Sequence, residues 1–317
     1  MGSHQKVVIA LGGNALQEPG ALATAEAQLE VVKKTAEIIT DIKCLFGYEL
    51  AIVHGNGPQI GRILLASELA AEVTPAMPLN VCTAMSQGYI GYHIQQGLSH
   101  ALANRNRPLP VVTVITQVVV DPADPAFQNP TKPIGPFYSE EEAGKLAAER
   151  GFVLREDAGR GWRRVVPSPL PQRIVEIHSI KELWDSTIVI AAGGGGIPVV
   201  EKEDGTLEGV PAVIDKDLAA EKLAEEVGAD ILMILTEVEQ VALNYKKANQ
   251  QNLSRLTAAE CEQYIREGHF APGSMLPKVQ AALAFVKLHP KKKAIITSLA
   301  RAVDALNGGA GTVITQQ

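Results

Sequence analysis

Residues 6–14 read KVVIALGGN: one cation, five apolar residues, then Gly12, Gly13 and Asn14. A short continuous apolar run without polar alternation fits a strand buried on both faces of a parallel sheet. Two glycines at its end mark a tight turn. Helical text follows at about 24–46, where Leu29, Val32, Ile38, Ile39 and Ile42 recur at roughly helical spacing and Gly47 stands as a C-terminal cap. Strand, glycine turn and helix together predict an α/β fold.

The same unit recurs along the chain. Residues 50–53 read as a strand ending in HGNGP (54–58), with helical text to about 72 and again at about 82–104, and a third strand at 111–116. The rhythm breaks at about 118–168, a Pro- and charge-rich segment too long for a plain connection, which reads as an inserted lid of short strands and turns. Alternation resumes with a strand at 187–192 ending in four glycines (193–196), a hairpin at about 198–213 around Asp204-Gly205, and a helix after Asp215-Lys216-Asp217. A strand at 230–235, helices at about 257–267 and 277–289, and strands at 294–297 and 312–315 complete the chain.

Composition narrows the function. The 317 residues carry 29 Lys and Arg against 35 Asp and Glu, a net charge of −6. An acidic chain whose only basic run is Lys291-Lys292-Lys293 is a poor nucleic-acid binder. Residues 73–104 hold no Asp, Glu, Lys or Arg, yet Asn80, Ser86, Gln87, His93, Gln95 and Gln96 interrupt them, so a buried or interface helix is expected and no membrane span. Met85, Tyr89, Tyr92 and Leu98 on that stretch predict a broad apolar face and a homodimer. Three widely spaced cysteines, Cys44, Cys82 and Cys261, read as small buried hydrophobes in a reducing cytoplasm. Residues 1–4 (MGSH) read as an expression-tag remnant.

Three strands end in glycine-rich turns: Gly12-Gly13-Asn14, Gly55-Asn56-Gly57, and 193–196 with Gly194 and Gly195 at its centre. Glycines at carboxyl ends of strands let backbone N–H groups approach an anion, and the next helix adds positive potential. One such turn is an ordinary tight turn; three suggest several anionic groups along one edge. Familiar nucleotide signatures fail. Residues 268–274 (GHFAPGS) have the Walker A glycine spacing without its lysine, and Gly55, Gly57 and Gly61 miss the dinucleotide spacing by one residue.

Lysines supply the missing charge. Lys132 is fixed between prolines in NPTKPIGP (129–136). Lys216 lies at a helix start between Asp215 and Asp217, and Lys278 follows GSMLP (273–277) in another first turn. Capping explains the aspartates but not lysines set against a helix dipole. A bound polyphosphate would compensate them, which points to phosphoryl transfer with Asp217 holding the cations in place.

Taken together, ALGGNAL (10–16), HGNGPQIG (54–61), MSQGYIGY (85–92), DPAFQNPTKPIGPFY (124–138), EDAGRGWRRVVPSP (156–169), AAGGGGIPV (191–199), AVIDKDLAA (212–220) and FAPGSMLPKV (270–279) resemble the carbamate kinases of the amino acid kinase fold, nearly end to end. The resemblance implies one domain over 5–317, an open αβα sandwich with about eight mainly parallel strands. Residues 5–210 would form the carbamate and carbamoyl phosphate side, 211–317 the nucleotide side, and 118–168 a protruding subdomain carrying Lys132. It also implies reversible transfer between ATP and carbamate, giving ADP and carbamoyl phosphate, with Mg2+ and no residue-held metal site. Lys132, Lys216, Lys278 and Asp217 would be catalytic. Gly12, Gly13, Asn14, Gly55, Asn56, Gly57, Gly194 and Gly195 would bind substrate and phosphate. Asp215, Leu235, Thr236, Tyr245, Gly273, Ser274 and Met275 would bind nucleotide. Many relatives read Asp and Gly where 235–240 (LTEVEQ) carries glutamates and a glutamine.

Other readings are an amino acid kinase for a larger acid, a non-catalytic homologue, and a dinucleotide oxidoreductase. The Pro-rich Lys132 segment opposes the first, the presence of all four catalytic candidates the second, and the glycine spacing the third. Carbamate attacks through an oxygen that is already anionic, so no general base is needed and His54 reads as a wall residue.

Overall fold

The computed structural model describes residues 5–17, 24–157 and 159–317, with the Asn14 side chain also outside the description. The expected tag remnant at 1–4 lies outside the described residues. Eight strands form the main sheet in the order Arg255–Thr257, Thr312–Thr315, Lys293–Ser298, Ile231–Thr236, Lys6–Leu11, Glu49–His54, Ile188–Ile190 and Val111–Thr113. Within this sheet, among the described residues, only Lys293–Ser298 and Thr312–Thr315 pair antiparallel.

The apolar run at the N-terminus is continuous because both its faces are covered. Val8 and Ala10 join one core with the helices Lys216–Glu226 and Met275–Lys287. Val7, Ile9 and Leu11 join the opposite core with Ala25–Phe46 and Leu79–Asn104. Helices on both faces of a mostly parallel sheet make the expected sandwich. The Ala25–Phe46 helix starts where the Thr24 side chain accepts from the Ala27 N–H at 3.2 Å, and stops at Gly47 with φ 67°.

Register positions the site. Leu11 lies beside His54 on one side and Leu235 on the other. From Lys6–Leu11 the chain order runs outward in both directions, so the Gly12-Gly13 turn lies at the topological switch point, where open α/β sheets bind ligands.

Several boundaries shift. The expected strand at 111–116 splits: Val111–Thr113 stays in the main sheet, and Gln117–Val120 enters a second sheet with Leu207–Gly209, Ile197–Glu201 and Pro171–Ile174. The 118–168 segment is therefore not uniform. Its first residues belong to that second sheet; the lid proper is Lys132–Tyr138, Trp162–Val166 and Leu154–Glu156 with the helix Glu140–Arg150. The last long helix begins at Met275, making Lys278 its fourth residue.

The lid packs on the Gly57–Leu69 helix. Ile134 and Val166 share an apolar cluster with Ile60 and Leu64, and Arg164 donates to Glu68 at 2.9 Å. A Cβ on Gly61 would stand 2.9 Å from the Gly135 backbone, so only glycine permits that approach.

Leu98 and Cys44 depart from expectation. On Leu79–Asn104, Ile90, Ile94 and Leu98 recur every four residues and point into the core, while Met85 and Tyr92 stay exposed. Leu98 thus belongs to the core, not to an outward face. Cys44 is exposed; Cys82 and Cys261 are buried. Among the described residues no helix is long and apolar enough to cross a membrane.

Glu221, on Lys216–Glu226, is buried at 8% exposure, and burial pushes its carboxyl up to about 7. The folded state therefore binds the proton more tightly than the unfolded chain, with its ordinary value of 4.5. Stability from this group is present below that value and is lost as pH rises towards 7, by about 3 kcal/mol at most. Glu221→Gln should melt higher than the parent at about pH 8, with the gap closing near pH 5. Thermal unfolding at both pH values checks this; a gap independent of pH would contradict it.

Candidate active site

The three glycine-rich turns end adjacent strands, Lys6–Leu11, Glu49–His54 and Ile188–Ile190. Two cavities open above them. The larger, about 730 Å3, is lined by Gly12, Leu235, Thr236, Tyr245, Phe270 and Met275 among others. The smaller, about 250 Å3, is lined by Gly55, Asn56, Gly57, Lys132, Gly194 and Asp215 among others. Gly13, Lys216, Gly273, Ser274 and Lys278 line both. The two chambers thus meet over the switch-point turn.

At the junction stands a buried charge cluster. Asp217 Oδ1 accepts from Lys216 Nζ at 2.5 Å and Oδ2 from Lys278 Nζ at 2.8 Å. The Asp217 side chain is only 3% exposed, and each lysine 13%. Burial alone would raise the Asp217 carboxyl; Lys216 and Lys278 outweigh it and hold it down at about 2. Burial lowers the Lys216 ammonium, Asp217 opposes that shift, and Lys278 adds to it. The carboxylate supplies the compensation that two lysines in first turns require.

Asp215 is among the residues expected to bind nucleotide. It lines the smaller chamber and not the larger. Its Oδ2 accepts from Lys132 Nζ at 2.7 Å, and its Oδ1 caps the Lys216–Glu226 helix by accepting from the Asp217 N–H at 2.9 Å. The carboxylate that starts the helix also aims the lid lysine at the chamber.

Backbone donors face the same space. The helices Gly57–Leu69 and Met275–Lys287 begin at Asn56 and Ser274 without a side-chain cap. Pro58 and Pro277 carry no N–H and the Leu276 N–H bonds the Ala271 carbonyl, so the N–H groups of Gly57 and Met275 are the first-turn donors left for an anion. In the third turn Ala192 (φ 50°), Gly194 (φ 66°), Gly195 and Gly196 all adopt left-handed backbone. A Cβ on Gly194 would come within 2.1 Å of the Asn56 amide, so this turn needs glycine for conformation and for space.

His54 is no base. It is fully buried, its Nδ1 donates to the Gly55 carbonyl at 2.9 Å, and burial lowers it to about 4. Its ring lies against Gly193 as a wall of the turn.

Most expected residues line one chamber or both. Gly195 does not; it packs on the Ile214 carbonyl behind the turn. Asn14 lies in the first turn with its side chain outside the described residues. Sequence reasoning missed Gln240, Ala242, His269 and Phe270 on the larger chamber and Pro133 and Val213 on the smaller. Phe270 begins the FAPGS stretch that carries Gly273 and Ser274, which was its available signal.

Comparison with known proteins agrees with this geometry. The amino acid kinase family matches residues 5–298. The chain is 56% identical over 314 residues to the carbamate kinase of Pyrococcus horikoshii, covering 98% of this chain and 99% of the relative. It is 54% identical over 315 residues to the carbamate kinase of Clostridium perfringens, covering 98% and 100%. The structure of Giardia lamblia carbamate kinase bound to AMP-PNP superposes with a TM-score of 0.91 at 48% identity, covering 99% of each chain.

The titrating groups fix the expected pH dependence. Lys216 acts as an ammonium ion, so turnover should fall on the alkaline side at a pH below the ordinary lysine value of 10.5. No limb from His54 should appear between about pH 5.5 and 8, because its proton is lost well below that range. A pH profile of kcat in the parent and in His54→Gln checks both; an acid limb near neutrality that vanishes in the variant would contradict the wall assignment.

Proposed function

The chain belongs to the amino acid kinase family, in its carbamate kinase branch, and from that premise we propose that it transfers a phosphoryl group reversibly between ATP and carbamate. One observation carries the reading: two chambers share the Lys216, Lys278 and Gly13 wall over the strand ends. The larger chamber takes the nucleotide, in keeping with the AMP-PNP complex of the Giardia relative. The smaller, at about 250 Å3, suits a compact acid better than an acylated amino acid. The part of the chain up to about 210 supplies most of the small chamber, and 211–317 most of the large one.

The transfer is then a single in-line step. An anionic carbamate oxygen forms a bond to the γ-phosphorus while the bond from phosphorus to the β–γ bridging oxygen breaks, and ADP leaves with the electron pair. No proton needs removal, which suits a site whose histidine is buried and neutral. Lys216 and Lys278, held by Asp217, offset charge on the phosphoryl oxygens. Gly13 and Gly194 backbone groups cradle the anion, Gly55 lies beside them with its own N–H given to the Leu11 carbonyl, and Lys132 reaches the anion from the lid. Mg2+, brought with the nucleotide, would supply further charge neutralisation at the phosphates beside Lys216 and Lys278. Among the described residues no group of three His, Cys, Asp or Glu could hold a metal ion.

The lid excludes water from a labile product and moves relative to the main sheet. A homodimer forms through the exposed Met85 and Tyr92 of the Leu79–Asn104 helix, and the protein works in the cytoplasm.

ATP formation from ADP and carbamoyl phosphate, with acetyl phosphate as control, tests the activity. Removal of Mg2+ with EDTA should abolish it. Lys216→Ala and Lys278→Ala should each lower kcat by about 10²–10³ with the fold retained. Lys132→Ala should raise KM for carbamoyl phosphate and leave that for ADP nearly unchanged. Parental turnover in Lys278→Ala would remove it from the chemistry, and a rise in KM for ADP alone in Lys132→Ala would move that lysine to the nucleotide side.

A further inference from the structure

The stretch MSQGYIGY (85–92) takes no direct part in either chamber. Its residues lie on the Leu79–Asn104 helix, where Ser86 and Gln87 are fully buried. Their partners lie in the turns of the site.

Gln87 is fully used. Its Oε1 accepts from the Thr116 N–H at 2.8 Å, and its Nε2 donates to the Thr116 carbonyl at 3.1 Å and to the Gly193 carbonyl at 3.0 Å. Thr116 completes the loop: its hydroxyl accepts from the Ala192 N–H at 2.9 Å and donates to the Val114 carbonyl at 2.7 Å. The preceding residue, Ser86, accepts from Asn56 Nδ2 at 2.9 Å, and the Asn56 amide leans on Gly194. One helix face thus grips two of the three anion-binding turns.

The grip answers a physical need. The 192–196 turn runs through Ala192 at φ 50° and three glycines at positive φ. A non-glycine residue in that region is strained, and glycines resist no distortion, so such a turn persists only when its surroundings over-determine it. Gln87 and Thr116 supply that restraint from outside the chamber. We propose that Gln87 is a positioning residue for the smaller chamber: through Gly193 and Thr116 it fixes the 192–196 turn, and so the placing of Gly194 against the carbamoyl phosphate. This rests on the smaller chamber taking the carbamoyl end.

The same helix provides a control. Gln95 bonds a strand in a similar way, donating to the Val111 carbonyl at 3.1 Å and accepting from Thr113 Oγ1 at 2.6 Å, but it touches neither chamber. Gln87→Glu keeps the shape and loses both donors. Thr116→Val removes the hold on Ala192 from the other side without altering Gln87. Both should raise KM for carbamoyl phosphate about tenfold or more, with KM for ADP within about twofold. Gln95→Met should lower the melting temperature and leave both KM values unchanged. Unchanged KM values in Gln87→Glu and Thr116→Val, or an equal shift in Gln95→Met, overturns the positioning role. A shift in KM for ADP alone overturns it as well, and with it the assignment of the smaller chamber.

Discussion

A single buried carboxylate sets the electrostatics of the site. Asp217 holds Lys216 at 2.5 Å and Lys278 at 2.8 Å and offsets the cost of two ammonium ions near helix starts, with Asp215 adding to the hold on Lys216. Two cations on one anion leave the cluster net positive, which is what an incoming polyphosphate requires. The cluster ties the Lys216–Glu226 helix to the Met275–Lys287 helix under the junction of the chambers.

The backbone brings the matching donors to the same place. Because the sheet order reverses at Lys6–Leu11, the Gly12-Gly13 turn is flanked by 55–57 on one side and by Thr236 on the other. Gly13 therefore faces both chambers, while Gly55 and Gly194 face only the smaller and Leu235 and Thr236 only the larger. One donor turn with a chamber on either side is the arrangement a transfer between two anions needs. Catalysis then consists of holding and neutralising, with no proton to move.

Much of this was legible because it is local. Glycine turns after apolar runs, and lysines at helix starts beside aspartates, announce themselves within a few residues. What was not legible depends on distance. Gln87 is one more amide in a charge-free helix until its partners appear 29 and 106 residues away. Asp215 is expected at the nucleotide only through the family resemblance; the lid folding back, with Lys132 on it, brings it to the smaller chamber. The strand expected at 111–116 ends where Thr116 gives its N–H to Gln87 and its carbonyl turns to Gln87 and to the Ile197 N–H of the second sheet. Leu98 was assigned outward on composition; only the four-residue phase with Ile90 and Ile94 sends it inward.

The most direct measurement is a crystal structure with ADP and a non-transferable carbamoyl phosphate analogue. The account predicts ADP in the larger chamber, the carbamoyl group in the smaller, and the phosphoryl oxygens within hydrogen-bond reach, about 3.2 Å, of Lys216 Nζ or Lys278 Nζ. Both ligands in one chamber, or a phosphoryl group beyond reach of both lysines, would contradict it.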